Sequence, residues 1–301
     1  MMTTQTLTPN ATTTGTPAGG PTRRRPRRCG RSVARHAGLA VFVAFMLYPL
    51  VWMVTSAFTP ESEILTGPLI PEQFTLENFV NGWNSLTRPF WVFYGNSFVV
   101  TISSIVGNLF SCSLTAYALA RLTFKARNLY FGIVLVSVML PMHVLVIPQY
   151  IIFSQFDLVN TFVPLVLPKF LATDAFFIFL MVQFIRGIPR ELDQAAAIDG
   201  AGPFRTFWYV IFPLMRPALV TTTIFTFIWT WNDFFTPLIY LTDQSVFTVP
   251  VALSSMVDAE SNSGIGMLLA MSVLSLIPIM LFFAFAQKYL IRGITTTGLK
   301  G

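Results

Sequence analysis

Six stretches of about twenty residues, nearly free of charge, leave this chain few ways to fold, because that length crosses a bilayer core as a helix. Only 11% of its 301 residues are charged and 54% are hydrophobic, whereas an ordinary soluble domain carries about 25% charged residues. A transmembrane barrel would need short alternating segments, and the sequence has none. The expected class is an all-α polytopic membrane protein with spans at 37–58, 93–120, 129–153, 162–185, 218–241 and 265–290. Pro141 and Pro148 fall inside the third span, where neighbouring helices can serve the carbonyls that a proline frees.

Ahead of the first span, residues 1–36 are rich in Thr, Pro, Gly, Ala and Arg, and no acidic residue occurs before Glu61. This composition reads as a disordered cytosolic tail whose arginines hold the start of the first span inside. An Arg-rich transit peptide and an anionic-lipid or nucleic-acid segment are the alternatives. On a six-span layout 17 of the 19 Lys and Arg lie on the side of the termini, leaving Arg88 and Lys169 on the other. The positive-inside rule then places both termini in the cytoplasm. The net charge of +6 follows from this topology and does not call for nucleic acid. Cys29 and Cys112 are too few for a disulfide framework or a metal site.

On the same side as the termini, residues 186–217 interrupt the spans with a polar, positively charged segment. Pro189 at the first helical position, with Glu191 and Asp193 in the first turn, marks a helix start. Ala195, Ala196 and Ala197 propagate the helix, and Gly200 ends it. Gly202-Pro203 begins a second helix, with Phe204, Phe207, Trp208 and Ile211 recurring at helical spacing and Pro213 breaking the run. The expectation is a helix–Gly–helix knuckle between two spans.

Catalytic chemistry finds little support. Ser97 lacks a glycine frame, since Phe98 follows it, and His143 would be the only membrane histidine available as its base. His36 and His143 have no paired ligands at metal-binding spacing. No G-x-x-x-x-G-K-[ST] phosphate loop is present, so the chain cannot cradle ATP in that way. The intramembrane charges are Asp174, placed near the outer end of the fourth span, and Asp233, within the fifth. Either can serve a neighbouring helix or touch a solute, and an ion-coupled or facilitative carrier stays open on these residues alone. Candidates for a solute path are Trp229, Asn232, Asp233, His143 and Asp174.

The knuckle resembles the EAA loop of binding-protein-dependent ABC importer permeases of the carbohydrate type: E-A-A, three residues, G, nine residues, I-x-L-P. Gln194-Ala195-Ala196, Gly200 and Val210-Ile211-Phe212-Pro213 fall at that spacing, with Gln194, Val210 and Phe212 departing from it. Further likeness lies in Thr75–Phe79, Leu119-Ala120-Arg121, Trp231-Asn232-Asp233, and the ending from Arg292-Gly293-Ile294-Thr295 to Lys300-Gly301. The resemblance covers about 37–301 and is strongest to the maltose-type second permease subunit. It implies the type I ABC importer permease fold, with six spans and cytoplasmic termini, in a bacterial inner (plasma) membrane. It also implies import of a sugar or sugar-like solute, with a second permease, an ABC ATPase dimer and an extracytoplasmic solute-binding protein as partners. ATP and Mg would be used by the ATPase, and this chain would bind no cofactor itself. The residues expected to couple to the ATPase are Glu191, Gln194, Ala195, Ala196, Asp199, Gly200 and Pro213.

Overall fold

The structure is a computed structural model that describes residues 29–259 and 264–297, and among these residues it is helical with no strand. The chain divides into two compact units, 1–49 and 50–301. Helix α1 (Cys29–Ala57) begins in the first, and its apolar residues, among them Val41 and Phe45, are exposed. Helix therefore starts within the segment expected to be a disordered tail, while residues 1–28, with most of the arginine cluster, lie outside the described residues.

In the second unit a short helix, α2 (Glu77–Trp83), precedes the long α3 (Phe90–Arg121). There follow α4 (Arg127–Val138), α5 (Met142–Gln155), α6 (Val163–Phe170) and α7 (Ala175–Arg186). The knuckle comprises α8 (Glu191–Ile198), α9 (Pro203–Thr206), a π-helical turn at Phe207–Ile211, and α10 (Phe212–Leu214). The chain ends with α11 (Arg216–Trp231), α12 (Phe235–Tyr240), α13 (Val249–Ala259) and α14 (Ile265–Thr297). Among the described residues four stretches are long and apolar enough to cross a membrane: Arg35–Ala57, Phe90–Arg121, Val163–Arg186 and Ile265–Tyr289. Two bent pairs, Arg127–Val138 with His143–Gln155 and Pro203–Leu214 with Arg216–Trp231, make six if each counts as one span.

Several expectations need correcting. The fifth span was drawn through 241, but α11 stops at Trp231, and Asn232 and Asp233 lie in the gap before α12. The fourth is broken at 171–174, which puts Asp174 at the middle of Val163–Arg186 and not near its outer end. Lys169 is likewise inside that span, leaving Arg88 as the one outside cation of the earlier count. The loop after the fifth span contains α13, and α14 continues to Thr297, into the segment read as a polar tail, whose last residues 298–301 lie outside the described residues.

Helix α3 lies at the centre of the packing. Its inner half joins α7, the π turn and α11 in a core containing Tyr117, Met181, Ile185, Phe207, Ile211 and Met215. Its outer end packs Phe90 and Phe93 with Val249, Met256 and Met271. Ser97, weighed above as a nucleophile, is buried and accepts a hydrogen bond from Val249 N–H at 2.9 Å, while Asn96 donates to the Ser245 and Phe247 carbonyls. Both residues therefore fasten the segment 245–249 to α3. At its start the Ser245 hydroxyl and N–H hold the Asp243 carboxyl below its ordinary range. The start of α14 is capped from a distance: Glu61 accepts from Ile265 and Gly266 N–H at 3.0 and 2.8 Å, where a carboxylate suits the positive helix end.

Gly107 is the closest approach along α3, since a Cβ there would lie 2.8 Å from the Phe170 ring and 3.1 Å from the Lys169 backbone. Gly107→Val should cost about 1–3 kcal/mol by overpacking. Thermal unfolding in detergent, compared with Gly95→Val at a position open to surroundings, checks this; equal melting temperatures would refute it.

Candidate functional site

The knuckle is built from local signals. Glu191 and Asp193 occupy the first turn of α8, but Arg190 is the N-cap, so Pro189 precedes the helix instead of opening it. At the other end Gly200 has φ +79°. Its N–H bonds the Ala197 carbonyl and that of Ala201 the Ala196 carbonyl, the paired bonds of a Schellman stop. Pro203 opens α9 with Gly202 as N-cap. Pro213 does not end the second helix. A π turn, with Phe212 N–H bonded to the Phe207 carbonyl, precedes it, the helix continues to Leu214, and the 74° bend to α11 comes at Met215. Proline lacks the N–H for a regular bond to residue 209, so a local π turn is a physically sensible accommodation.

The expected apolar stripe of the second helix divides in two. Phe207 and Ile211 are fully buried, but Phe204 and Trp208 are exposed and stack in a ladder with Phe212. On α8 no side chain is buried: Glu191, Gln194, Ala195 and Asp199 face outward, Ala196 is partly covered, and Ile198 is 86% exposed. A groove of about 380 Å³ runs between the two helices, lined by Leu192, Ala195, Ala196, Asp199, Arg205 and Tyr209. Asp193 alone among the α8 carboxylates turns inward, and its Oδ2 lies 3.2 Å from Arg121 Nε at the end of α3.

A second cluster lies in mid-membrane. Asp174 accepts hydrogen bonds from Lys169 Nζ at 3.0 Å and from Asn108 Nδ2 at 2.6 Å, and Asn108 also donates to Thr226 of α11 at 3.1 Å. Ser111 donates to the Lys169 carbonyl at 2.6 Å, and Thr173 to that of Pro168 at 2.9 Å. The carbonyls exposed by the break at 171–174 are thus served by side chains, as a backbone away from water requires. Hydrogen bonds between membrane helices contribute about 0.6–2 kcal/mol each.

The solute-path candidates group around the helix breaks. Trp229, half exposed, packs on Phe176, Phe177 and Phe225, just beyond Asp174. The His143 ring packs against Phe235, centroids 4.7 Å apart and tilted by 53°. Asn232 donates to the Ile228 carbonyl, and Asp233 accepts from Thr236 N–H, so both finish or start helices at the second break. Sequence reasoning missed Asn108, Lys169, Arg121 and Ile198. Asn108 and Ser111, three residues apart on one helical face, were the available signal. Among the described residues no group of three or more His, Cys, Asp or Glu could hold a metal ion.

A family described as binding-protein-dependent transport system inner membrane component has a model that matches residues 107–296. The chain belongs to this family. It is 34% identical over 265 residues to the arabinooligosaccharides transport system permease protein AraQ of Halalkalibacterium halodurans, covering 86% of this chain and 94% of that one. To the sn-glycerol-3-phosphate transport system permease protein UgpE of Escherichia coli it is 31% identical, covering 87% and 95%. To the trehalose/maltose transport system permease protein MalG of Thermococcus litoralis it is also 31% identical, covering 88% and 95%. The fold matches a crystal structure of a bacterial ABC transporter involved in import of the acidic polysaccharide alginate, with TM-score 0.78, 23% identity and coverage of 88% and 98%. A permease of this family is a multi-pass membrane subunit of an ABC importer, not a stand-alone carrier.

Lys169 and Asp174 are each about a quarter exposed, so removing one partner should cost about 2–4 kcal/mol, somewhat less than for a fully buried pair. Lys169→Met and Asp174→Asn should each lower the melting temperature in detergent, and the double variant should regain most of the loss. A double variant as unstable as either single would show that the two do not act as a pair.

Proposed function

We propose that this chain is one of two membrane-spanning permease subunits of an ATP-driven importer for a sugar or sugar-like solute, in a bacterial inner membrane. The observation that carries the coupling is the exposed α8, a rigid short helix bearing a bare isoleucine on a chain that has no phosphate loop of its own. An 86% exposed Ile198 on a polar helix suits burial in a groove of a partner, as exposed apolar anchors do at interfaces. In this reading Glu191, Gln194, Ala195, Ala196, Asp199 and Gly200 face a cytosolic ATPase that uses ATP and Mg, and Pro213 shapes the return to the membrane. The cation asymmetry supports cytoplasmic termini and knuckle, more so now that Lys169 leaves the outside count. A solute-binding protein delivers the solute from outside.

The names of the relatives, which speak of arabinooligosaccharides, trehalose/maltose and sn-glycerol-3-phosphate, support the carbohydrate class. The half-exposed Trp229 beside Asp174, with His143, Asn232 and Asp233 at the neighbouring breaks, supports a path for hydroxyl-rich solutes with C–H faces for aromatic stacking.

The purified chain alone in liposomes should be inert under any ion gradient, and co-reconstitution with its ATPase, second permease and binding protein should give ATP-dependent uptake. Gradient-driven uptake by the chain alone would refute the reading. Ile198→Asp should weaken retention of the ATPase on the purified permease by at least about tenfold, or 1.4 kcal/mol, with membrane insertion unchanged. Full retention would remove α8 from the interface.

A further inference from the structure

The last turn of α3 grips the knuckle at three points that are 67 to 86 residues away in the chain. Arg121, 6% exposed at its side chain, sets Nε against Asp193 Oδ2 at 3.2 Å and donates from Nη2 to the Ile188 carbonyl at 2.6 Å. One turn earlier Tyr117 donates its hydroxyl to the Pro203 carbonyl at 3.0 Å, and its ring packs 5.1 Å from Phe207. The entry to α8, α8 itself and the start of α9 are therefore all fixed to one helix end. That end is itself capped: Arg127 folds back and donates from Nε to the Leu119 carbonyl at 2.8 Å. Thirteen residues up the same helix, about 20 Å at 1.5 Å per residue, Asn108 holds Asp174 at the break of the fourth span and Thr226 of α11.

We propose that Arg121, with Tyr117, is a positioning strut that passes movement of the knuckle to α3, and through Asn108 to the broken middle of the fourth span. The proposal rests on the reading that α8 docks on an ATPase. Covalent continuity alone would carry that movement only into α7 and α11, the helices flanking the knuckle. The guanidinium suits the role because its planar fork donates to the Ile188 carbonyl while its fixed charge pairs with Asp193. It also accounts for the inward Asp193, whose carboxylate pairs with Arg121 within the chain.

The test uses the complete importer with Cys29→Ser and Cys112→Ser, and spin labels on Ile102→Cys of α3 and Met280→Cys of α14, both exposed positions. The distance distribution is measured without nucleotide and with ATP and vanadate. The expected result is a nucleotide-dependent shift that Arg121→Met and Asp193→Asn each reduce at least about twofold, within the range by which single residues alter coupling, while the ATPase still co-purifies. The double variant should be no worse than either single, because both remove the same contact, and Arg121→Lys should fall between. An undiminished shift in Arg121→Met, or additive losses in the double, overturns the strut. If Arg121→Met fails to assemble, Asp193→Asn and Tyr117→Phe decide, and an undiminished shift in both overturns it. An ATPase that never co-purifies with the unaltered chain overturns the docking reading itself, an outcome distinct from an undiminished shift.

Discussion

A helix that breaks inside a membrane frees carbonyls and N–H groups that no water can reach, and some other element must serve them. In this permease the fourth span breaks at 171–174, and α3 answers with Asn108, Ser111 and the missing side chain of Gly107. The glycine lets Phe170 and the Lys169 backbone approach, the serine takes the Lys169 carbonyl, and the asparagine holds Asp174 while reaching Thr226. Asp174 in turn neutralises Lys169. Remove this arrangement and the break would carry a naked ammonium and unserved carbonyls. The placement of the fourth and fifth spans against the second follows from it.

The same helix organises the knuckle by ordinary side-chain chemistry. Its last turn supplies a tyrosine hydroxyl and a guanidinium to backbone carbonyls at the start of α9 and just before α8. A helix as short as α8 (Glu191–Ile198) would not hold together alone. Its capping by Gly200 and its attachment to α3 hold it in place, while its outer face stays bare.

Some features were readable from residues alone. Apolar length revealed the spans because the bilayer imposes it locally, and the Gly200 stop was readable because few residues but glycine settle at positive φ. Pro141 reads as tolerated within a continuous third span, yet the helix breaks there between α4 and α5. The break in the fourth was no more legible: Lys169 and Asp174, five residues apart, look like interfacial charges until the fold pairs them at mid-span. Phe204, Phe207, Trp208 and Ile211 recur at helical spacing, yet Phe207 and Ile211 are buried while Phe204 and Trp208 stay exposed.

By itself the sequence determined the class, the approximate spans, the cation asymmetry and the spacing of the knuckle, because each depends on residues near one another in the chain. Tertiary structure decided which polar residues meet: Arg121 with Asp193, and Asn108 with Asp174 and Thr226. These partners lie 66 to 118 residues apart. Their pairing depends on how α3, α7 and α11 pack, and apolar periodicity specifies that only loosely in helices whose lipid-facing and buried sides are both hydrophobic.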